Sequence, residues 1–171
     1  MKNKKGLIIT ILIISVVFVI CYFSFIKTDN ANNSSTPNVQ PKLTKNYSMF
    51  FTISNCINKY YTYVGKLDKE NVIKLLNDDY VKNNKINKNN VFDKITSYGE
   101  NMVNMKVKKM HEKVLNKKIT VYYIYGNVYV ENYTDILNKG DAYFEVRIDS
   151  SNKLFDITPM NKSSYEEVVN G

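Results

Sequence analysis

The amino-acid sequence predicts an α+β protein: an N-terminal transmembrane helix, followed by helices packed on a bent antiparallel sheet. Three observations predict it. Residues 6–26, GLIITILIISVVFVICYFSFI, run for 21 residues without a charge. Apolar residues then recur at steps of three and four from Phe50 to Tyr80, and from Met102 onward the period falls to two. Helical and strand periodicities that occupy separate parts of a chain point to segregated helices and strands rather than alternating βαβ units.

About 20 apolar residues suffice to cross a bilayer, so residues 6–26 are expected to be a transmembrane helix. Lys2, Lys4 and Lys5 precede the span, whereas Lys27 beyond it is answered by Asp29. The positive-inside bias therefore places residues 1–5 in the cytoplasm and everything from Thr28 outside it, giving a single-pass protein of a plasma membrane. A cleaved signal peptide would have a shorter apolar core and small residues at its cleavage site, and this run ends in bulky CYFSFI. Phe18-Val19-Ile20 lacks the small residues that lipidation at Cys21 requires, and Ile11 stands where a pilin leader has Glu.

Residues 27–46, KTDNANNSSTPNVQPKLTKN, hold Pro37, Pro41 and almost no large apolar group, the composition of a flexible linker. The formal net charge of +8 divides unevenly along the chain. Residues before Asn46 carry six Lys and one Asp, whereas 18 Lys or Arg oppose 15 Asp or Glu in the remainder, leaving +3 there. Basic residues beside a span are explained by topology, and the remainder lacks the basic cluster of a nucleic-acid surface, so no nucleic-acid partner is expected. Cys56 is the one thiol beyond the span, so no internal disulfide can staple the domain.

Phe50, Ile53, Ile57, Tyr60, Tyr61 and Val64 trace one face of a helix over 47–64 that stops at Gly65. Asp68 is placed as an N-cap, with Glu70 in the first turn, for a second helix over 69–81. KNNKINKNN at 82–90 reads as loop, and Val91, Phe92 and Ile95 as a short third helix.

Val103, Met105 and Val107 then open a strand that runs from Met102 through Leu115, and Asn116-Lys117-Lys118 turns it into ITVYYIYGNVYVEN, dense in β-branched and aromatic residues. Gly126-Asn127 reads as a bulge that bends this second strand, in preference to a hairpin turn that divides it. Ala142, Phe144, Val146 and Ile148 alternate with Tyr143, Glu145, Arg147 and Asp149 in a half-buried third strand. Residues 154–158 form the last strand, ended by Pro159. The folded domain is thus expected over 47–160. In the tail, 161–171, a short helix capped by Ser163 or Ser164 competes with fraying.

An aromatic-rich first helix, GKLDKENVIKLLNDDYV as an acid-capped second helix, a short third helix and three or four long strands resemble the nuclear-transport-factor-2-like, or cystatin-like, cone fold over residues 47–158. An N-terminal span before such a domain also resembles bitopic subunits of conjugation and type IV secretion machines. The resemblance implies a bent sheet wrapped around the helices, a cone whose mouth can hold a small ligand, and an assembly role. In members such as ketosteroid isomerase the cone is catalytic, with an Asp base and Tyr or carboxylic-acid donors. If a pocket exists here, Tyr61, Tyr123, Tyr125, Tyr143 and His111 are the candidate ligand-binding residues.

Each also has a plainer reading. Tyrosines on strands usually bury the ring and leave the hydroxyl at the edge, and His111, between Met110 and Glu112, reads as a surface residue. One His and one Cys beyond the span do not make a usual zinc site, and adjacent Asp78-Asp79 point apart on a helix. No Gly-rich phosphate loop, nucleophile elbow or calcium loop is present, so no catalytic residue, metal or cofactor is expected. The sequence therefore favours a non-catalytic, membrane-anchored interaction or scaffold domain at the cell envelope that binds a protein partner or itself. A small-molecule or isomerase-like cone pocket is the alternative.

Overall fold

The computed structural model describes residues 40–132, 134–150 and 154–171. The expected anchor and the first part of the linker, residues 6–39, lie outside the described residues. Among the described residues, no helix is long and apolar enough to cross a membrane.

The linker is expected to run to residue 46, but its last part belongs to the fold. Pro41 is buried, and β1 (Lys42–Leu43) pairs antiparallel with the strand that carries His111 and Glu112. α1 (Tyr47–Gly65) follows, its first turn closed by the Asn46 side chain, which accepts from the Met49 N–H at 3.0 Å. Ile53, Ile57, Tyr60, Tyr61 and Val64 are buried along it, as the periodicity predicts. The helix ends where Gly65 abuts the next layer: a Cβ there would lie 2.1 Å from the Asn101 carbonyl oxygen.

The expected helix over 69–81 is two helices, α2 (Lys69–Leu75) and α3 (Asp78–Asn83). Asp68 caps the first, as expected. The break has a tertiary cause. Leu76 is buried in extended conformation and bridges Ile157 of the last strand, and the Asn77 N–H donates to the Ile157 carbonyl at 2.8 Å. The Asn77 side chain then accepts from the N–H groups of Asp79 and Tyr80, starting α3. α4 (Val91–Lys94) is the short third helix.

β2 (Met102–Val114), β3 (Ile119–Glu131), β4 (Ile136–Asp149) and β5 (Leu154–Met160) complete a five-stranded antiparallel sheet in chain order. β3 runs unbroken through Gly126, and the bulge lies opposite it on β2, between Val107 and Lys109. Gly126 is required by proximity, since a Cβ would lie 2.4 Å from the Lys106 carbonyl oxygen. A second irregularity between Val128 and Tyr129 sits beside Gly140, whose φ of 103° suits glycine. β4 therefore begins six residues before the clean alternation at Ala142. β5 continues through Pro159 to Met160, which an edge strand tolerates. The C-terminus does not fray: α5 (Lys162–Asn170) is capped by Asn161, not by Ser163 or Ser164, through a 2.8 Å bond from the Ser164 N–H.

The sheet buries both faces. Ile53, Ile57 and Val64 of α1, Val72 of α2 and Val91 of α4 pack on Met110, Ile124, Val128, Val146 and Ile157 of the inner face. On the outer face, Tyr165 of α5 packs with Val121 and Tyr123. Among the described residues no polar or charged residue other than tyrosine is buried as a whole, although the single atoms Ser54 Oγ and Arg147 Nε are.

Candidate functional site

Strand pairing sorts the five candidate residues. His111 stands opposite Tyr123, and Tyr125 lies between Lys109 and Tyr143 across three strands. Neighbours in register share a face, so His111, Tyr123, Tyr125 and Tyr143 all lie on the outer face, away from α1. Tyr61 projects from α1 into the inner layer. The cone interior expected to gather all five therefore does not.

α5 crosses the outer face and leaves a trough of about 300 Å³, whose lining includes Lys109, His111, Tyr125, Asp141, Tyr143 and Tyr165. The Tyr125 and Tyr143 rings stack at 5.3 Å between centroids, and Tyr143 lies 5.1 Å from Tyr165. Asp141 organises the rim: Oδ1 accepts from the Asn127 side-chain amide at 2.7 Å and the Tyr125 hydroxyl at 3.4 Å, and Oδ2 from the Tyr143 hydroxyl at 3.3 Å. The Tyr165 hydroxyl and His111 Nδ1 share a hydrogen bond at 3.2 Å. Burial, with Lys109 nearby, holds the imidazole below its ordinary range, and burial pushes the Tyr165 phenol up to about 12. Both groups are neutral at physiological pH.

Beside the trough, burial and the neighbouring Glu145 carboxylate push the Tyr123 phenol up to about 12. Burial raises Glu145 in turn, against the opposing pull of the Arg147 guanidinium. Arg147 Nε is buried without a hydrogen-bond partner. This polar row is held by packing from below and leaves its charged ends partly open to water.

Tyr61 lines a second cleft, of about 320 Å³, with Tyr60, Tyr80, Tyr98 and Phe144. Here the rings pack on one another: Tyr60 and Tyr61 each meet Phe144 edge-on, at 5.7 and 5.8 Å. Burial drives both phenols far above their ordinary range. Tyr143, Asp141 and Lys162 line both clefts, so the two adjoin along β4.

His111 is held through Nδ1 by the Tyr165 phenol, with no carboxylate or carbonyl partner in the contacts at the trough among the described residues. Burial pushes the Cys56 thiol up to about 11, which removes it as a nucleophile. Among the described residues no group of three His, Cys, Asp or Glu could hold a metal ion. Asp78 and Asp79 are exposed in the first turn of α3, the solvent side expected of them. Sequence reasoning missed Asp141 and Tyr165. Asp141 carries a legible signal, because it alternates in phase with Tyr143. Tyr165 carries none, since nothing local says which face a terminal helix will cover.

Fold and site together define an α+β domain with an antiparallel five-stranded meander, helices on both faces and a tyrosine-lined trough under the C-terminal helix. No protein-family model matches the chain, and no curated protein or solved structure matches it.

Proposed function

We propose that this chain is a single-pass membrane protein of the cell envelope, with its N-terminus cytoplasmic and its folded domain outside, and that the domain is a non-catalytic interaction module of the nuclear-transport-factor-2-like cone class. The observation that carries the reading is the packed core: beneath α1 the inner layer is filled by Ile, Val, Met, Tyr and Phe, and Ser54 Oγ is the polar atom of α1 that lies buried there without a partner among the described residues. A ligand-binding cone needs a cavity with converging polar groups; the cleft beside Tyr61 is floored by aromatic rings packed on one another, whereas a carboxylate, an imidazole and phenols converge on the outer trough. The sheet's irregularities beside Gly126 and Gly140 and the helices on its inner face support the cone class. Half-wet tyrosines such as Tyr125 and Tyr143, with the pinned Asp141 carboxylate, suit a protein interface that is apolar at its centre and hydrogen-bonded at its rim. The partner is another envelope protein or a second copy of the chain. No nucleic acid is involved.

A small-molecule site is the second reading, favoured by the His111–Tyr165 pair at the floor of the trough. A photo-crosslinking amino acid at Tyr143 in the full-length chain, irradiated in native membranes, separates the two. A discrete protein adduct supports the interaction module. Absence of adducts, with metabolite binding that shifts the His111 and Tyr165 resonances, supports the small-molecule site.

A further inference from the structure

The two ends of the sheet carry opposite charge, and the chain enters at the basic end. Thr44 donates to the Glu112 carboxylate, Asn58 accepts from the Met105 N–H and Gly65 abuts Asn101, so α1 descends from the end of β2 to its start. At the upper end stand Lys42, Lys45, Lys113, Lys117 and Lys118, against Glu112 and Asp149. At the lower end Glu100, Glu131 and Asp135 stand against Lys66. The upper end carries exposed aromatic and apolar side chains, Tyr47 at 81 %, Phe51 at 68 % and Leu43 at 61 %, with Phe51 edge-on to Phe50; at the lower end the exposed apolar residues, Met102 and Ile136, are not aromatic. Tyr47 and Phe51 lie four residues apart, one turn of α1, and so share a face.

We infer that this end of the domain docks on the anionic surface of the bilayer in which the chain is anchored, Tyr47 and Phe51 entering at headgroup level within a ring of lysines. The inference rests on the anchored reading proposed above. Three observations select lipid as the occupant. Only 13 residues, 27–39, separate the apolar segment from Gln40, and a chain of that length reaches at most about 45 Å, so the basic end is tethered within reach of a bilayer. The lysines complement anionic headgroups, and the far end would be repelled by them. An aromatic ring that is apolar at one end and wet at the other is the side chain enriched at a membrane interface.

The test uses the full-length chain carrying Cys21→Ser and Cys56→Ala, with a single cysteine at Ser48→Cys or Asp135→Cys bearing an environment-sensitive fluorophore. It is reconstituted in vesicles of phosphatidylcholine and phosphatidylglycerol that contain a nitroxide-headgroup lipid. The expected result is a blue-shifted emission at position 48, mostly lost to the nitroxide, and an unshifted, unquenched emission at position 135. Tyr47→Ser with Phe51→Ser, both exposed, returns position 48 to the behaviour of position 135. High salt or vesicles of phosphatidylcholine alone weaken the quenching. Equal, low quenching at both positions in a chain that resists alkaline extraction overturns the docking and leaves the anchor standing. A chain released by alkaline extraction overturns both.

Discussion

The Tyr165 hydroxyl, on the last helix, meets His111 Nδ1, on the second strand, at 3.2 Å across 54 residues of chain. This contact fastens α5 over the outer face of the sheet and forms the floor of the tyrosine trough. Tyr165→Phe should cost about 1 kcal/mol, the net worth of one hydrogen bond, and Tyr165→Ala about 3 kcal/mol by adding a cavity. Urea unfolding curves of the two variants measure the difference.

The same pair sets a pH response. The folded imidazole titrates below its unfolded range near 6.5, so the unfolded chain binds the proton first as pH falls. The His111 contribution is intact above that range, and stability is lost as pH drops through it toward the depressed folded value. Tyr165→Ala uncovers the ring, and its titration, followed by proton NMR, should move up toward about 6.5.

Alkali acts through phenols. Burial raises Tyr60, Tyr61, Tyr123 and Tyr165, the last two to about 12. A raised folded pKa means that the unfolded chain loses these protons first, so their contribution is complete below about pH 10 and is lost as pH rises beyond it. Ultraviolet titration should show a cooperative step of tyrosine ionisation above about pH 10 that coincides with unfolding.

The free edge of β2 is capped from the helix layer, where the Asn58 side chain accepts from the Met105 N–H at 2.8 Å. Asn58→Ala leaves that donor without its acceptor and should cost about 1–3 kcal/mol, whereas Asn58→Asp keeps an acceptor and should cost less. Amide exchange at Met105 reads the bond directly, and it should quicken in the Ala variant alone.

Gly126→Ala should destabilise the domain by about 1–3 kcal/mol, because the new methyl group meets both the Lys106 carbonyl and the Met105 side-chain terminus. Thermal unfolding checks it. Gly140→Ala meets no neighbouring atom and tests only the left-handed backbone, so it should be the milder change.

Where local pattern and tertiary burial agree, the sequence is legible to the residue. The first helix is expected over 47–64 and spans Tyr47–Gly65, because an apolar stripe and a terminal glycine agree; the Asn46 cap is an additional signal, inside the segment that reads as linker. Where they compete, burial wins unseen: Leu76 has helical neighbours but is taken by Ile157, and Pro41 looks like linker but is buried at the sheet edge. Residues 136–141, ILNKGD, lack the apolar alternation that marks a half-buried strand and so do not read as one, yet their backbone pairs with β3. The candidate site shows the same divide. Period two places Tyr123, Tyr125 and Tyr143 on one face, but which face the first helix covers depends on Phe144, Val146 and Ile124 being more apolar than their neighbours. That comparison was available in the sequence. The covering of the other face by Tyr165 was not, because it depends on where a nine-residue terminal helix finds apolar surface.

The central claim is that the outer trough is a partner-binding surface on a domain with a packed core. The most direct test is the mass at which the full-length chain migrates when cells that make it are extracted in mild detergent, compared with a Tyr125→Ala, Tyr143→Ala variant. The account predicts that the native chain migrates in a defined complex well above its 19.9 kDa, and that the variant, still folded, migrates alone. A variant that keeps the complex, or a native chain that migrates alone in every extract, would contradict it.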